Sequence, residues 1–486
     1  MLAPWAIDEM KTADLKDKRL NARLTKILSA LGERPTASIP AACGGWEEMV
    51  AAYRFFDNEK VTFQRVLKPH IEQTLKRVAA QPVALLVQDT TELDLTRPEL
   101  QVVGAGPLDS STRRGALLHP LIAFTPDGTP LGLCAAKIWA RKKRRKETPA
   151  EKRRRRKRTH IKDKESRRWI DTLQQARKVA AQAPGTQCVC IADSEADIYE
   201  LFSEPLGGAS IQWIVRACQN RALAKDGKKE SDAARNIREA VESQPVQFVQ
   251  EISVRGRAQP KVSCETRGRR QPREGRMAQV EIRAVTVTLR GPPRPDGRLP
   301  DVVVNVVQVR EIDPPNDDVP VEWLLITPLP IANVEQVREI IQYYTVRFLI
   351  EVFFRVLKSG CRVEKRRFAD IKRLLPCVAV YLIVAWRTLM ICRLGRSCPD
   401  LDCETIFEPA EWKSVWMTVT RTKPPRRPPT LAEILPLIAQ LGGYVNYPNR
   451  QDPPGPQTIW LGMQRMYDLA TAWNTFGPGA EARQDE

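Results

Sequence analysis

Apolar positions change their spacing several times along the chain, and each change marks a different kind of element. In residues 14 to 32, DLKDKRLNARLTKILSALG, Leu20, Leu24, Ile27, Leu28 and Leu31 recur at helical spacing. Lys18, Arg19, Arg23 and Lys26 turn mostly elsewhere, and Gly32 supplies a stop. A second helical stretch, GWEEMVAAYRFFDNE, follows, so the first seventy residues read as all-helical. A small capping bundle and a DNA-binding domain both fit that pattern.

From residue 83 the pattern becomes short apolar runs closed by polar residues: VALLVQDTTELDL, ALLHPLIAFT and QCVCIADSEADIYELF. Buried strands of an α/β sheet look like this. Residues 246 to 327 alternate instead, in VQFVQEISVRG, AQVEIRAVTVTLRG, DVVVNVVQVREI and VEWLLIT, separated by Pro, Gly and Arg-rich turns. They predict a β-rich insertion in the α/β core. After residue 365 the chain returns to helices, broken by TKPPRRPPT at 422 to 430. The longest apolar run, Leu374 to Trp386, is shorter than the roughly 20 residues that span a bilayer and predicts a buried helix.

Charge narrows the class of partner. Lys and Arg number 77 against 58 Asp and Glu, for a net charge of +19, and such a surface seeks polyanions, nucleic acid being the usual one. A chain of 486 residues has room for two to four domains and a large core. Its eleven cysteines lack zinc-ribbon spacing and read as reduced thiols, and MLAPWAIDEM has no signal-peptide pattern. A cytoplasmic, nucleoid-associated protein without a membrane partner is the resulting expectation. The basic tract, residues 141 to 169 and densest over 141 to 158, is either a solvated face or a run laid along a phosphate backbone.

The segment YYTVRFLIEVFFRVLK, residues 343 to 358, is largely apolar yet carries four charges. On one continuous helix Tyr344, Arg347, Glu351, Arg355 and Lys358 fall within an arc of about 80°, while Phe348, Ile350, Val352, Phe353 and Leu357 point elsewhere. A salt-bridged surface explains the stripe as readily as a binding site does. Asp89 and Asp193 each close an apolar strand, and taken singly each is an ordinary turn or cap residue. Together with Glu351, in so basic a chain, they fit a site for hard divalent cations, because clustered carboxylates repel one another unless a cation sits among them.

These residues carry a resemblance. The sequence resembles the DDE transposases of bacterial insertion sequences, in the IS-four group of the Tn-five type, whose signature Y-x2-R-x3-E-x6-K is matched by Tyr344, Arg347, Glu351 and Lys358. LLVQDTTELDL and IADSEADIY are similar to the family's two aspartate blocks, and the resemblance runs through nearly the whole chain, including its N-terminal and C-terminal segments. It implies a ribonuclease-H-like α/β core with a β-rich insertion, over residues 71 to 365. An all-α end-recognition domain would occupy residues 1 to 70 and a helical dimerisation domain residues 366 to 486. Asp89, Asp193 and Glu351 would be the catalytic, metal-binding triad for two Mg2+ ions, with Mn2+ as a substitute. Tyr344, Arg347, Lys358, Arg355 and Arg216 would contact DNA, and Trp323, which as a Trp in an apolar strand is more often a core residue, would stack a flipped base.

The implied activity is cut-and-paste transposition by nicking, hairpin formation and strand transfer, acting as a homodimer on transposon-end and target duplexes. A catalytically inactive regulator derived from such an enzyme, and a nuclease of the junction-resolvase kind, are the alternatives. The sequence departs from the family where Ser194 and Glu195 follow Asp193, removing a cation, where Val352 follows Glu351, and in the density of its basic tract. Leu431, Ile434, Leu437 and Leu441 form a stripe that suits either a dimer contact or core packing.

Overall fold

Pro4 at the first helical position opens α1 (Pro4–Glu9), and Asp17, accepting the Arg19 amide, caps α2 (Lys18–Glu33). Leu24, Ile27, Leu28 and Leu31 of α2 are buried, as their spacing predicts. With α3 (Ile39–Cys43), α4 (Trp46–Phe56) and α5 (Phe63–Ala79), the chain begins all-helical. The computed structural model describes residues 2–110, 112–142, 147–204, 211–224, 234–254, 256, 275–316, 318–445 and 453–477, with only the backbone of 156 and 157. The chain divides into two compact units, one of Met1–Lys146, Gln182–Thr186 and Phe348–Glu486, the other of Glu147–Ala181 and Gln187–Arg347.

In the first unit β1 (Val83–Gln88), β2 (Thr91–Asp94), β3 (Gly106–Pro107), β4 (Arg114–Phe124) and β5 (Pro130–Trp139) gather around β4. β5 pairs along one edge of β4; β1 pairs with residues 121–124 and β2 with residues 115–118 along the other, all antiparallel. Gly115 is required there, because a Cβ would overlap the Leu93 carbonyl.

The second unit contains α6 (Pro149–Arg158), most of α7 (Arg167–Gln182), β6 (Gln187–Ala192), α8 (Tyr199–Phe202), β7 (Gln212–Arg216) and α9 (Ile237–Glu242). Next come β8 (Phe248–Val254), β9 (Arg276–Leu289), the small hairpin β10 (Pro293–Arg294) and β11 (Gly297–Arg298), β12 (Val302–Glu311), β13 (Glu322–Thr327) and α10 (Val334–Val346). Its strands run in the order β6-β7-β13-β12-β9-β8, with β6 and β7 parallel and the rest antiparallel. The β-rich region therefore continues the sheet past β7. Its alternating sequence is reflected in the alternating burial of β9. Residues 143–146 of the basic tract and 257–274 of the β-rich region lie outside the described residues.

The chain then re-enters the first unit as α11 (Phe348–Arg355), a π-helical turn over Val356–Gly360, α12 (Ile371–Ser397), α13 (Pro409–Thr420), α14 (Leu431–Leu441) and α15 (Pro456–Phe476). α12 extends past the apolar run and is long and apolar enough to cross a membrane, but 89% of its apolar window is buried inside the protein. Leu431 and Ile434 are fully buried, and Leu437 and Leu441 pack against the same core cluster, so a single chain accounts for the α14 stripe.

One expectation fails here. Residues 343 to 358 are not one helix: α10 ends at Val346, and the Arg347 amide bonds the Tyr344 carbonyl three residues back at 3.1 Å, before α11 begins. The β-branched pair Thr345 and Val346 precedes this tightened turn.

A buried polar network secures α1 to α5 and β5. The Leu133 amide donates to His70 Nε2 at 3.0 Å, so the His70 proton sits on Nδ1 and is donated to the Glu9 carboxylate. Arg77 donates both terminal nitrogens to the same carboxylate, at 3.0 and 3.1 Å, and stacks over Trp386. Burial alone would raise the Glu9 carboxyl, but His70 and Arg77 outweigh it and hold it at about 2. Burial holds His70 below its ordinary value.

Both shifts cost stability in acid. Below about pH 6.5 the unfolded chain protonates His70 while the folded one resists, and from about pH 4.5 downward Glu9 adds a further loss that is complete only below its folded value of about 2. The urea midpoint is accordingly expected to fall between about pH 7 and about pH 5, with a smaller fall in His70→Gln. Equal slopes in the two proteins would contradict this reading of the network.

Candidate active site

In the first unit Asp89 directly follows β1, and the Thr90 amide donates to its Oδ1 at 2.6 Å. His119, buried on β4, spans the residues either side. Its Nε2 donates to the Gln88 side-chain carbonyl oxygen at 3.1 Å, leaving Nδ1 to accept the Thr90 hydroxyl at 2.8 Å. This brace fixes the backbone that presents Asp89. Sequence reasoning passed over His119, although one of only three histidines inside an apolar strand was a signal.

Glu351 and Arg355 are exposed on α11 and Lys358 is half-buried, whereas Ile350, Val352, Phe353, Phe354 and Leu357 are buried and anchor the helix. The π-helical turn is closed by the Cys361 amide on the Val356 carbonyl at 2.8 Å, five residues back. It ends at Gly360, where a Cβ would crowd the Trp460 ring at 3.1 Å. Lys358 Nζ in this turn lies 3.8 Å from Glu364, whose Oε1 also accepts the Asp94 amide at 2.9 Å. Burial lowers the Lys358 ammonium below its usual value, partly opposed by Glu364, Glu92 and Asp94. Arg113 ties those last two together, at 3.0 Å to Glu92 and 2.9 Å to Asp94. Glu92, Asp94, Arg113 and Glu364 are thus further members of the site's surroundings, and the acids of TELD were their legible trace.

In the second unit Asp193 follows β6 and caps a 3-10 turn over Ser194–Ala196, accepting the Glu195 amide at 2.9 Å. The turn reading of this aspartate is therefore met, without excluding another role. Ser194 stands where the resemblance leads to a cation after this aspartate, and the next residue, Glu195, receives Arg168 of α7 at 2.7 Å. Arg216, ending β7, donates to the Ser194 hydroxyl at 3.4 Å. Asp197, fully buried and also unread in the sequence, accepts the Cys218 and Gln219 amides at 2.8 Å and pairs with Arg221, which fixes the loop after Arg216.

Tyr344 is only 4% exposed, and its ring meets half-buried Trp323 edge to face at 5.3 Å. Burial raises its phenol above the usual value; Arg347 and Arg216 oppose this and Asp193 adds to it. The buried hydroxyl has no hydrogen bond of good geometry among the described residues, although the Arg347 guanidinium stands close enough to interact with it. The second unit thus brings Asp193, Arg216, Trp323, Tyr344 and Arg347 into one neighbourhood, while Asp89, Glu351, Arg355 and Lys358 belong to the first unit. Among the described residues no group of three or more His, Cys, Asp and Glu side chains could hold a metal ion as placed. By donor chemistry, Asp89, Asp193 and Glu351 offer only carboxylate oxygens, which suits a hard divalent cation and not a zinc or copper site.

Three family models match successive parts of the chain: transposase DNA-binding over residues 2–61, transposase DDE domain over 159–374, and transposase Tn5 dimerisation domain over 383–473. The DDE match takes in Asp193 and Glu351 and begins beyond Asp89. Among solved structures, the piggyBac transposase synaptic complex with hairpin DNA is similar at 9% identity and a TM-score of 0.32. The likeness covers 69% of this chain and 52% of that one, so this chain spans about half the length of that chain, and it is too loose to assign a fold. With DNA-binding, DDE and Tn5 dimerisation matches following one another along most of its length, the chain belongs to the Tn5-type DDE transposases.

Proposed function

We propose that the protein moves a DNA segment by cut-and-paste transposition. The observation that carries this reading is the neighbourhood of Tyr344, whose buried ring lies against Trp323 and which gathers the cations Arg216 and Arg347 near the carboxylate Asp193. The two cations favour the approach of a phosphate to this neighbourhood. Residues 1–70 would recognise the transposon end, 71–365 would form a ribonuclease-H-like core with the β-rich insertion of about 246–327, and 366–486 would dimerise two chains on DNA. The setting would be the bacterial cytoplasm and its nucleoid.

Asp89, Asp193 and Glu351 would hold two divalent ions, Mg2+ or Mn2+ in its place, which supply Lewis-acid activation of the attacking oxygen and neutralise the leaving one. The chain's own groups do the rest. Tyr344, Arg347, Arg355, Lys358 and Arg216 hold phosphates of the end in line with the carboxylates, and Trp323 offers its half-exposed ring to a base turned out of the stack. Nicking, hairpin formation, hairpin opening and joining to target are each one in-line phosphoryl transfer, so one set of carboxylates serves all four.

The test is incubation of the purified protein with DNA carrying the ends that flank its own gene, with and without Mg2+. Excised ends that appear only with metal support the proposal; binding without cleavage across end lengths and metals favours a DNA-binding regulator. A finer prediction concerns Trp323→Ala, which should slow hairpin formation roughly tenfold or more while sparing the first nick, since base stacking on an aromatic ring is worth about 1–3 kcal/mol. Equal loss of both steps would return Trp323 to a structural role.

A further inference from the structure

The second unit contains a cavity of about 910 Å³ between α6, the turn over Ile161–Asp163 and the β10–β11 hairpin. The dense basic tract begins to make sense here. Thr148 and Glu151 close a capping box around Pro149, so the tract enters α6 as an ordered helix. Lys152 and Arg153 reach the cavity from α6, Lys164 from beyond the turn, and Arg298 from the hairpin.

The lining also holds two acids, and both are engaged. Glu200 takes Arg294 in a two-bond pair at 2.7 and 3.2 Å, and Asp296 takes His160 Nε2 at 2.6 Å. These pairs brace the hairpin from two sides. A third brace is the Tyr199 hydroxyl, placed 3.0 and 2.8 Å from the Leu289 and Pro300 carbonyls at the hairpin's base. Lys152, Arg153, Lys164 and Arg298 make no ion pair among the described residues. Four cations without an ion pair among the described residues converge on one held groove, with Glu200 offsetting part of the Lys164 charge, and like charges gathered in this way repel one another unless an anion joins them.

We infer that this groove binds the sugar-phosphate backbone of a DNA duplex without regard to sequence, and that its occupant is the target duplex into which the excised segment is joined. The commitment to target rests on the transposase reading, and on the lining itself. Among the described residues no Asn or Gln lies in it, and its lysines and arginines can serve as charges on phosphates, which suits a partner whose sequence is arbitrary.

The test compares the full-length protein with a variant combining Lys152→Ala, Arg153→Ala, Lys164→Ala and Arg298→Ala, using a duplex of unrelated sequence across a salt series. The variant is expected to bind it more weakly, with the slope of log K against log salt shallower by about 0.9 for each phosphate that the variant no longer neutralises. Joining of precut ends to target should fall with it, while cleavage of the transposon ends, the control for folding, stays at the unmutated level. Unchanged affinity and slope on the unrelated duplex would overturn the inference whatever happens to the ends. Weakened binding with joining preserved would overturn the assignment to target. Failure of the unmutated protein to cleave ends would speak against the transposase reading alone, since the duplex-binding comparison does not depend on it.

Discussion

Glu351→Gln is expected to abolish metal-dependent cleavage of transposon-end DNA while leaving binding of that DNA intact. Glu351 is exposed on α11 beside the buried anchors Val352, Phe353 and Phe354, so an isosteric amide disturbs no packing and should leave stability within about 0.5 kcal/mol. Removing one carboxylate from a divalent-cation site forfeits several kcal/mol of transition-state stabilisation, a loss of roughly 10³-fold or more in rate. Gel-shift titration and denaturing gels on the same end DNA separate the two effects. Cleavage by Glu351→Gln at the unmutated rate would remove this residue from the chemistry.

Arg366→Ala is expected to cause the largest loss of stability. Its guanidinium is buried in the first unit, where it donates to the carbonyls of Ala37, Cys361 and, at 2.8 Å, Pro35, and stacks over Tyr381 at 4.5 Å. It therefore ties the segment after α2 to the end of the π-helical turn and to α12. Alanine would leave these carbonyls without their charged donor and open a cavity beneath Tyr381, a cost of about 3–5 kcal/mol. Urea unfolding measures it. A change within about 0.5 kcal/mol would mean that water replaces the guanidinium at no cost.

Much of the architecture was legible because burial writes a period into sequence. The apolar stripe of α2, the closed runs of β1 and β6 and the alternation of β9 each announced their element. The order of α6 was also written, in the Thr148–Glu151 capping box, but the crowd of cations around it masked that signal. The break at Arg347 left no such mark, since neither glycine nor proline stands there and the backbone stays near helical values. Supports that act across space were illegible for a different reason. His119 braces the residues flanking Asp89 from a strand some thirty positions away, and Asp197 gathers amides from the loop after β7. Such contacts depend on strand register, which no local pattern states.

Everything proposed for the chemistry requires that Asp89, Asp193 and Glu351 serve one divalent-cation site. Iron-directed cleavage of the protein itself reads this out: Fe2+ with ascorbate and peroxide, in the presence of end DNA, with the backbone cuts mapped. Cuts are expected to cluster near residues 89, 193 and 351 together, all suppressed by excess Mg2+ and all weakened by Glu351→Gln. Cuts near only one of these carboxylates, or cuts unaffected by Mg2+, would rule out a shared site.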